Sequence, residues 1–146
     1  MSEVFIKRVE DIDDEIGEFI NREFTGYGID NGIVLNYDEF CFAARDSGGD
    51  LAGAITGRAY YDEVHIGDLI VGKDHRRSGL GRKLVMTVED EYRGRGYNVV
   101  TLTTFGFQAP GFYEKLGYEL ELRNFLYAVS PQELMYAEAL LFTIMM

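Results

Sequence analysis

Residues 75–84 read HRRSGLGRKL. Arg76, Arg77, Arg82 and Lys83 bracket Gly79 and Gly81, and this is the stretch best suited to chemistry on an anion. From Lys73 to Lys83 five basic residues stand against one acid, Asp74, a local charge of +4 in a chain of net charge −11, so the remainder carries −15. An apolar strand-like run precedes the stretch, and an amphipathic helical run follows it. Free N–H groups at a helix start, with the helix dipole behind them, favour an anion. Glycines let the backbone approach it closely, and arginines add charge-assisted contacts. The expected ligand is a phosphate or pyrophosphate; the other reading is a helix start with solvated basic side chains. Neither common nucleotide signature is complete. Arg82-Lys83 follows Gly81 where a P-loop needs Lys-Ser/Thr, and Leu84 stands where a dinucleotide fold needs its third glycine.

Other reactive residue types are sparse. The single cysteine, Cys41, lies in the apolar run Phe40–Ala44 and is expected to be a buried thiol. Two histidines and one cysteine, without H-x-x-x-H or C-x-x-C spacing, predict no metal. The negative charge argues against nucleic acid and anionic membrane as partners and suits an amine-bearing one. No run approaches the ~18 apolar residues of a membrane span, and the N-terminus lacks a signal-like apolar region. A cytoplasmic protein is expected, with residues 1–146 as a single domain.

Around these residues the periodicity predicts the following elements. Residues 3–9 alternate weakly as a strand. After Asp11, residues Ile12, Ile16, Phe19, Ile20 and Phe24 mark one helical face, and residues 25–37 read as loop, alone or with a short helix. Residues 39–45, 51–60 and 63–71 form an antiparallel meander, turning at Asp46–Asp50 and Tyr61-Asp62. Leu80, Leu84, Val85, Val88 and Tyr92 mark a helix stopped by Gly94-Arg95-Gly96. A buried strand over 99–103, a helix from Ala109 or Pro110 to Leu116 ended by Gly117, and a strand over 118–129 follow. Ser130–Glu133 has the pattern of a helix start, with a final strand over 140–146. Gln108 is expected to cap the helix behind it.

Two motifs carry a family resemblance. Arg76-x-x-Gly79-x-Gly81 is similar to the R/Q-x-x-G-x-G/A signature of the GNAT N-acetyltransferase superfamily. GFYEKLGYE (111–119) resembles that family's FYEKLGF motif, and the Gln-Ala-Pro before it resembles a bacterial subgroup. The resemblance spans residues 51 to 121. It departs after 122, where AVSPQELMYAEALLFTIMM replaces the subgroup's Gly-His and basic-aromatic final strand, and no proline follows Val71.

The resemblance implies an α/β fold: a mixed, mostly antiparallel sheet flanked by helices and splayed between the family's fourth and fifth strands. Acetyl-CoA would act as co-substrate in that gap. Its pantetheine would pair with backbone near Leu69 and Val71, and its thioester carbonyl with an N–H near Ile70 or Val71. Its pyrophosphate would rest on the N–H groups of residues 77–82, among Arg76, Arg77, Ser78, Gly79, Leu80, Gly81 and Arg82. The reaction implied is acetyl transfer to a primary amine of a small molecule or a lysine, with Tyr113 as the acid for the leaving thiolate. The alternative is a CoA-binding sensor or interaction module without catalysis. For the base, His65 is a candidate because an imidazole ordinarily titrates near neutrality and because it shares strand parity with Leu69 and Val71. Glu63 shares that parity; Asp68 does not, unless a bulge shifts it; a water chain is a further option. The apolar tail LLFTIMM suggests a homodimer.

Overall fold

The computed structural model describes residues 3–106, 108–129 and 134–146, with backbone only for 124–129 and 134–138. The chain divides into two compact units, Met1–Leu35 and Asn36–Met146. The helix start expected at Ser130–Glu133 lies outside the described residues.

The first unit is built on one helix, α1 (Asp14–Asp30). Its N-cap is Asp13. The Asp13 carboxylate accepts the Ile16 N–H at 2.9 Å, and Asp14 and Glu15 complement the dipole. The helix also runs on through Thr25–Asp30, within the stretch read as loop, alone or with a short helix. Gly28 explains this: the Ile33 N–H returns to its carbonyl at 2.8 Å, and a Cβ there would lie 3.3 Å from the Ile33 oxygen. The glycine serves close approach rather than helix breaking. Residues 3–9, expected as a strand, form none; Val4, Phe5 and Ile6 are exposed, and no strand pairs with them.

The second unit is an open six-stranded sheet in the order β1-β2-β3-β4-β6-β5. Its strands are β1 (Asp38–Arg45), β2 (Leu51–Tyr60), β3 (Glu63–Val71), β4 (Val99–Phe105), β5 (Glu119–Val129) and β6 (Leu134–Met145). Helix α2 (Leu80–Tyr92) joins β3 to β4, and α3 (Pro110–Lys115) joins β4 to β5. All neighbours are antiparallel except β3 and β4. Leu84, Val85, Val88 and Tyr92 of α2 are buried in one core with Ile55, Val64, Ile66, Val100, Leu102 and Phe142. The tail belongs to this core: Leu140 and Phe142 are buried and Met146 packs against it, which removes the motive for a dimer that an exposed tail would have given. Cys41 is exposed, because Phe40 and Phe42 take the inward positions of β1 and leave the residue between them facing out.

Two irregularities open the sheet. Opposite β2, Thr56 pairs with Asp68 and Gly57 with Ile66, so Gly67 is an extra residue, a β-bulge, in β3. Between β3 and β4 the parallel pairing covers only Glu63–Ile66 against Val99–Leu102. Beyond it β3 stays with β2 as far as Val71, while β4 stays with β6 as far as Phe105. These are the fourth and fifth strands of the expected architecture, and they splay.

Gly57, beside the bulge, tests this packing. A Cβ there would fall 2.2 Å from the His65 carbonyl oxygen and 2.3 Å from the Phe40 ring. Overpacking of this kind costs about 1–3 kcal/mol or more. Gly57→Ala is therefore expected to lower Tm by several degrees. Gly17→Ala, in a helix with open space around the new methyl, is expected to raise stability by about 0.5–1 kcal/mol. Thermal unfolding followed by circular dichroism checks both signs.

Candidate functional site

The splayed strands and the two helices that follow them enclose a cleft of about 1370 Å³. One wall is the free edge of β3, Asp68 to Val71, continuing into the loop of Arg76, Arg77 and Gly79 and the first turn of α2. The other is Thr103 to Phe105 of β4, Gln108, and the α3 residues Phe112, Tyr113 and Lys115. Leu69 to Val71 of β3 and Thr103 and Thr104 of β4 lie beyond the β3–β4 pairing, so the backbone on that side has room for an added strand-like ligand.

The loop's backbone is shaped for an anion. Arg77 (φ 61°) and Gly79 (φ 80°) are both left-handed, and such alternation turns successive N–H groups into one concavity. Gly79 caps α2 with no side-chain acceptor. The first intrahelical bond from the cap runs from the Lys83 N–H to the Gly79 carbonyl at 3.1 Å, so the N–H groups of Leu80, Gly81 and Arg82 point out of the helix start. The Arg76 Nε donates to the Val71 carbonyl at 3.2 Å, which ties the loop to the end of β3. Arg77 and Arg82 form no ion pair among the described residues. Gly81 packs under α3: a Cβ there would meet the Phe112 ring at 3.3 Å.

Tyr113 is set by the end of its own helix. The Tyr118 N–H bonds to the Tyr113 carbonyl at 3.1 Å and the Gly117 N–H to that of Glu114 at 3.0 Å, around Gly117 at φ 93°. This is a Schellman closure, and its apolar contact is the edge-on packing of Tyr113 against Tyr118. Phe112 and Phe142 complete the ring's surroundings. The Tyr113 hydroxyl makes no hydrogen bond among the described residues, and burial raises its pKa above the ordinary tyrosine value. It lines the cleft as a protonated donor.

The cleft thus brings together Leu69, Ile70, Val71, Arg76, Arg77, Gly79, Leu80, Gly81, Arg82 and Tyr113. Ser78 does not line it; its hydroxyl donates to the His75 carbonyl. His65 is placed elsewhere. Register carries Val64, Ile66, Leu69 and Val71 opposite Ala59, Gly57, Ile55 and Gly53 on one face. The Gly67 bulge puts Glu63, His65, Asp68 and Ile70 on the other, so the parity joining His65 to Leu69 and Val71 does not hold. Its Nδ1 lies 2.8 Å from the Thr101 hydroxyl, which in turn donates to Glu63, and burial is the largest effect on its pKa, which is lowered. Asp68 is the one carboxylate among the described residues lining the cleft, and the Thr56 hydroxyl donates to it at 3.2 Å.

Gln108 does not cap α3, whose N-cap is Ala109 with no side-chain bond. Its Oε1 instead accepts from the Thr104 hydroxyl and the Phe105 N–H, both at 2.9 Å, and so holds the turn out of β4. Lys115 escaped the sequence reading altogether. The available signal was its i,i+3 spacing from Phe112, which puts both on one helix face.

Residues 7–118 match the acetyltransferase (GNAT) family. A blasticidin-S acetyltransferase of Streptomyces morookaense is 37% identical over 73 residues, 49% of this chain and 54% of that protein, so the chain spans about half of that relative's length. An acetyltransferase structure from Bacillus cereus ATCC 14579 superposes with a TM-score of 0.72 at 24% identity, over 96% of this chain and 98% of that one. A Bacillus anthracis structure described as a streptothricin acetyltransferase, in complex with acetyl coenzyme A, gives 0.64 at 20% identity, over 75% and 63%. At these identities the two structures establish the same fold.

The loop geometry predicts an anion site independent of any larger ligand. Inorganic pyrophosphate is expected to bind at low ionic strength and to weaken as salt is added. Gly79→Glu puts a carboxylate at the concavity and is expected to lower that affinity at least about tenfold, or roughly 1.4 kcal/mol. Calorimetry on the folded variant checks this; unchanged affinity would remove the loop from the site.

Proposed function

Because the chain belongs to the acetyltransferase (GNAT) family, we propose that it transfers the acetyl group of acetyl-CoA to a primary amine, of a small molecule or a lysine side chain. The observation that carries this reading is the convergence, on one cleft, of an uncapped cationic helix start from one arm and the buried Tyr113 from the other. The pyrophosphate would accept from the N–H groups of Leu80, Gly81 and Arg82. The pantetheine would lie along Leu69 to Val71, and an N–H near Ile70 or Val71 would polarise the thioester carbonyl. The acetyl-CoA bound to the Bacillus anthracis relative supports this choice of ligand. The activity named for the Streptomyces relative supports a small-molecule amine.

The chemistry is direct. A neutral amine attacks the thioester carbon, the N–C bond forms, the C–S bond breaks, and the thiolate leaves. Tyr113 would give that sulfur its hydroxyl proton and regain one from solvent, while the amine loses the proton that its new amide does not need. His65 is badly placed to receive it, since it does not line the cleft. Asp68 stands in the cleft and would both attract a protonated amine and accept its proton through water.

Tyr113→Phe keeps the ring in its packing and removes the donor. kcat is expected to fall by roughly 10²–10⁴ with a confirmed acceptor, while acetyl-CoA affinity and Tm stay near wild type. An acid must be protonated to act, and the Tyr113 pKa lies above the ordinary 10.0. Activity should therefore rise with pH as the amine is deprotonated, with no loss from Tyr113 below about pH 10. Steady-state kinetics beside a binding measurement tests this. Unchanged kcat where chemistry limits the rate would leave Tyr113 a packing residue. Acetyl-CoA binding without turnover on any amine of a broad panel would favour the sensor reading.

A further inference from the structure

The cationic loop is not alone at the mouth of the cleft. Lys115 lines the same cleft from the opposite arm, and it is the only basic residue among the described lining residues that does not come from the β3–α2 segment. Its position follows from the packing of α3 on α2. Phe112 touches the Gly81 position at the start of α2, and Lys115 lies three residues further along α3, on the same face and about one turn away. Both walls of the cleft thus carry basic residues, Lys115 on one and Arg76, Arg77 and Arg82 on the other. Lys115 is exposed and forms no ion pair among the described residues, in a chain with 25 acidic side chains. An unpaired lysine facing Arg76, Arg77 and Arg82 across a gap is repelled by them unless an anion lies between.

We propose that Lys115 is a specificity residue for a third phosphate, the one on the ribose 3′ position of coenzyme A, and that it makes the cleft discriminate coenzyme A from its dephospho form. The inference rests on the acetyl-CoA reading above. The pyrophosphate takes the outward N–H groups of α2, and the bond from Arg76 to Val71 commits that side chain partly to the loop. A further phosphate emerging from the mouth then meets the one cation on the α3 wall. Lys115 also sits in the last turn of α3, where a cation complements the helix dipole. That role would change thermal stability and not ligand preference.

The test is calorimetric binding of coenzyme A and dephospho-coenzyme A to wild type, Lys115→Gln, Lys115→Arg and Arg93→Gln. Arg93 is an exposed cation at the far end of α2 that does not line the cleft. Wild type is expected to prefer coenzyme A by roughly three- to tenfold, as for a partly solvated charge pair. Lys115→Gln should remove that preference by weakening coenzyme A alone. Lys115→Arg should keep it, and Arg93→Gln should leave it in place. Equal weakening of both ligands by Lys115→Gln, or an unaltered ratio, would overturn the role of Lys115 and leave the cofactor reading standing. Failure of wild type to bind either ligand would overturn both.

Discussion

Strand β3 cannot stay hydrogen-bonded to both neighbours beyond Ile66, and the cleft exists because of that. The extra residue at Gly67 keeps β3 in step with β2 only by bending it, and the bend carries Asp68 to Val71 away from β4. Strand β4 has its own partner in β6 and does not follow. The backbone groups exposed along the gap are tolerable because the gap is open to water or ligand. Buried, such groups would each carry a desolvation penalty of about 1–3 kcal/mol. A flat six-stranded sheet from the same strands would have no place for an extended ligand.

The second constraint is electrostatic. Positive side chains gather where the backbone already presents N–H groups, so fixed dipoles and mobile charges reinforce each other. Arg77 supports this reading through its conformation. A left-handed non-glycine residue is uncommon and costs of order 1 kcal/mol or more. Glycine would relieve that cost but would give up a cation at the concavity. The remainder of the chain is net acidic, so the cationic loop stands against a background that disfavours nonspecific attraction of anions.

Much of this was legible in the residues. The helical recurrence of Leu84, Val85, Val88 and Tyr92 and the glycines at 79, 81 and 117 carry local signals for what they form. The bulge does not. Read with strict period two, Glu63 to Val71 puts His65 with Leu69, and nothing local says that Gly67 is skipped, because a bulge is set by register against β2. A trace of it survives in the spacing of Val64, Ile66, Leu69 and Val71, but the apolar Ile70 hides it. Cys41 and the length of α1 were misread for a related reason. An apolar run does not say which side chain faces inward, and Gly28 looks like a helix breaker until its packing against Ile33 is seen.

The two arms of the cleft are held at a fixed distance by small contacts rather than by a broad interface. Gly81 lets Phe112 come down on the start of α2, and the Val71 side chain lies 3.6 Å from the same position, so β3, α2 and α3 meet where one hydrogen replaces a methyl group. On the far side, the Gln108 side chain fastens the turn out of β4 through Thr104 and Phe105, and the Schellman closure at Gly117 fixes where α3 stops. Tyr113 therefore stands on a six-residue helix that is anchored at both ends and in its first turn. A helix that short has little stability of its own. Its order is inherited from those anchors, which would give the donor proposed for Tyr113 the fixed position that proton transfer needs.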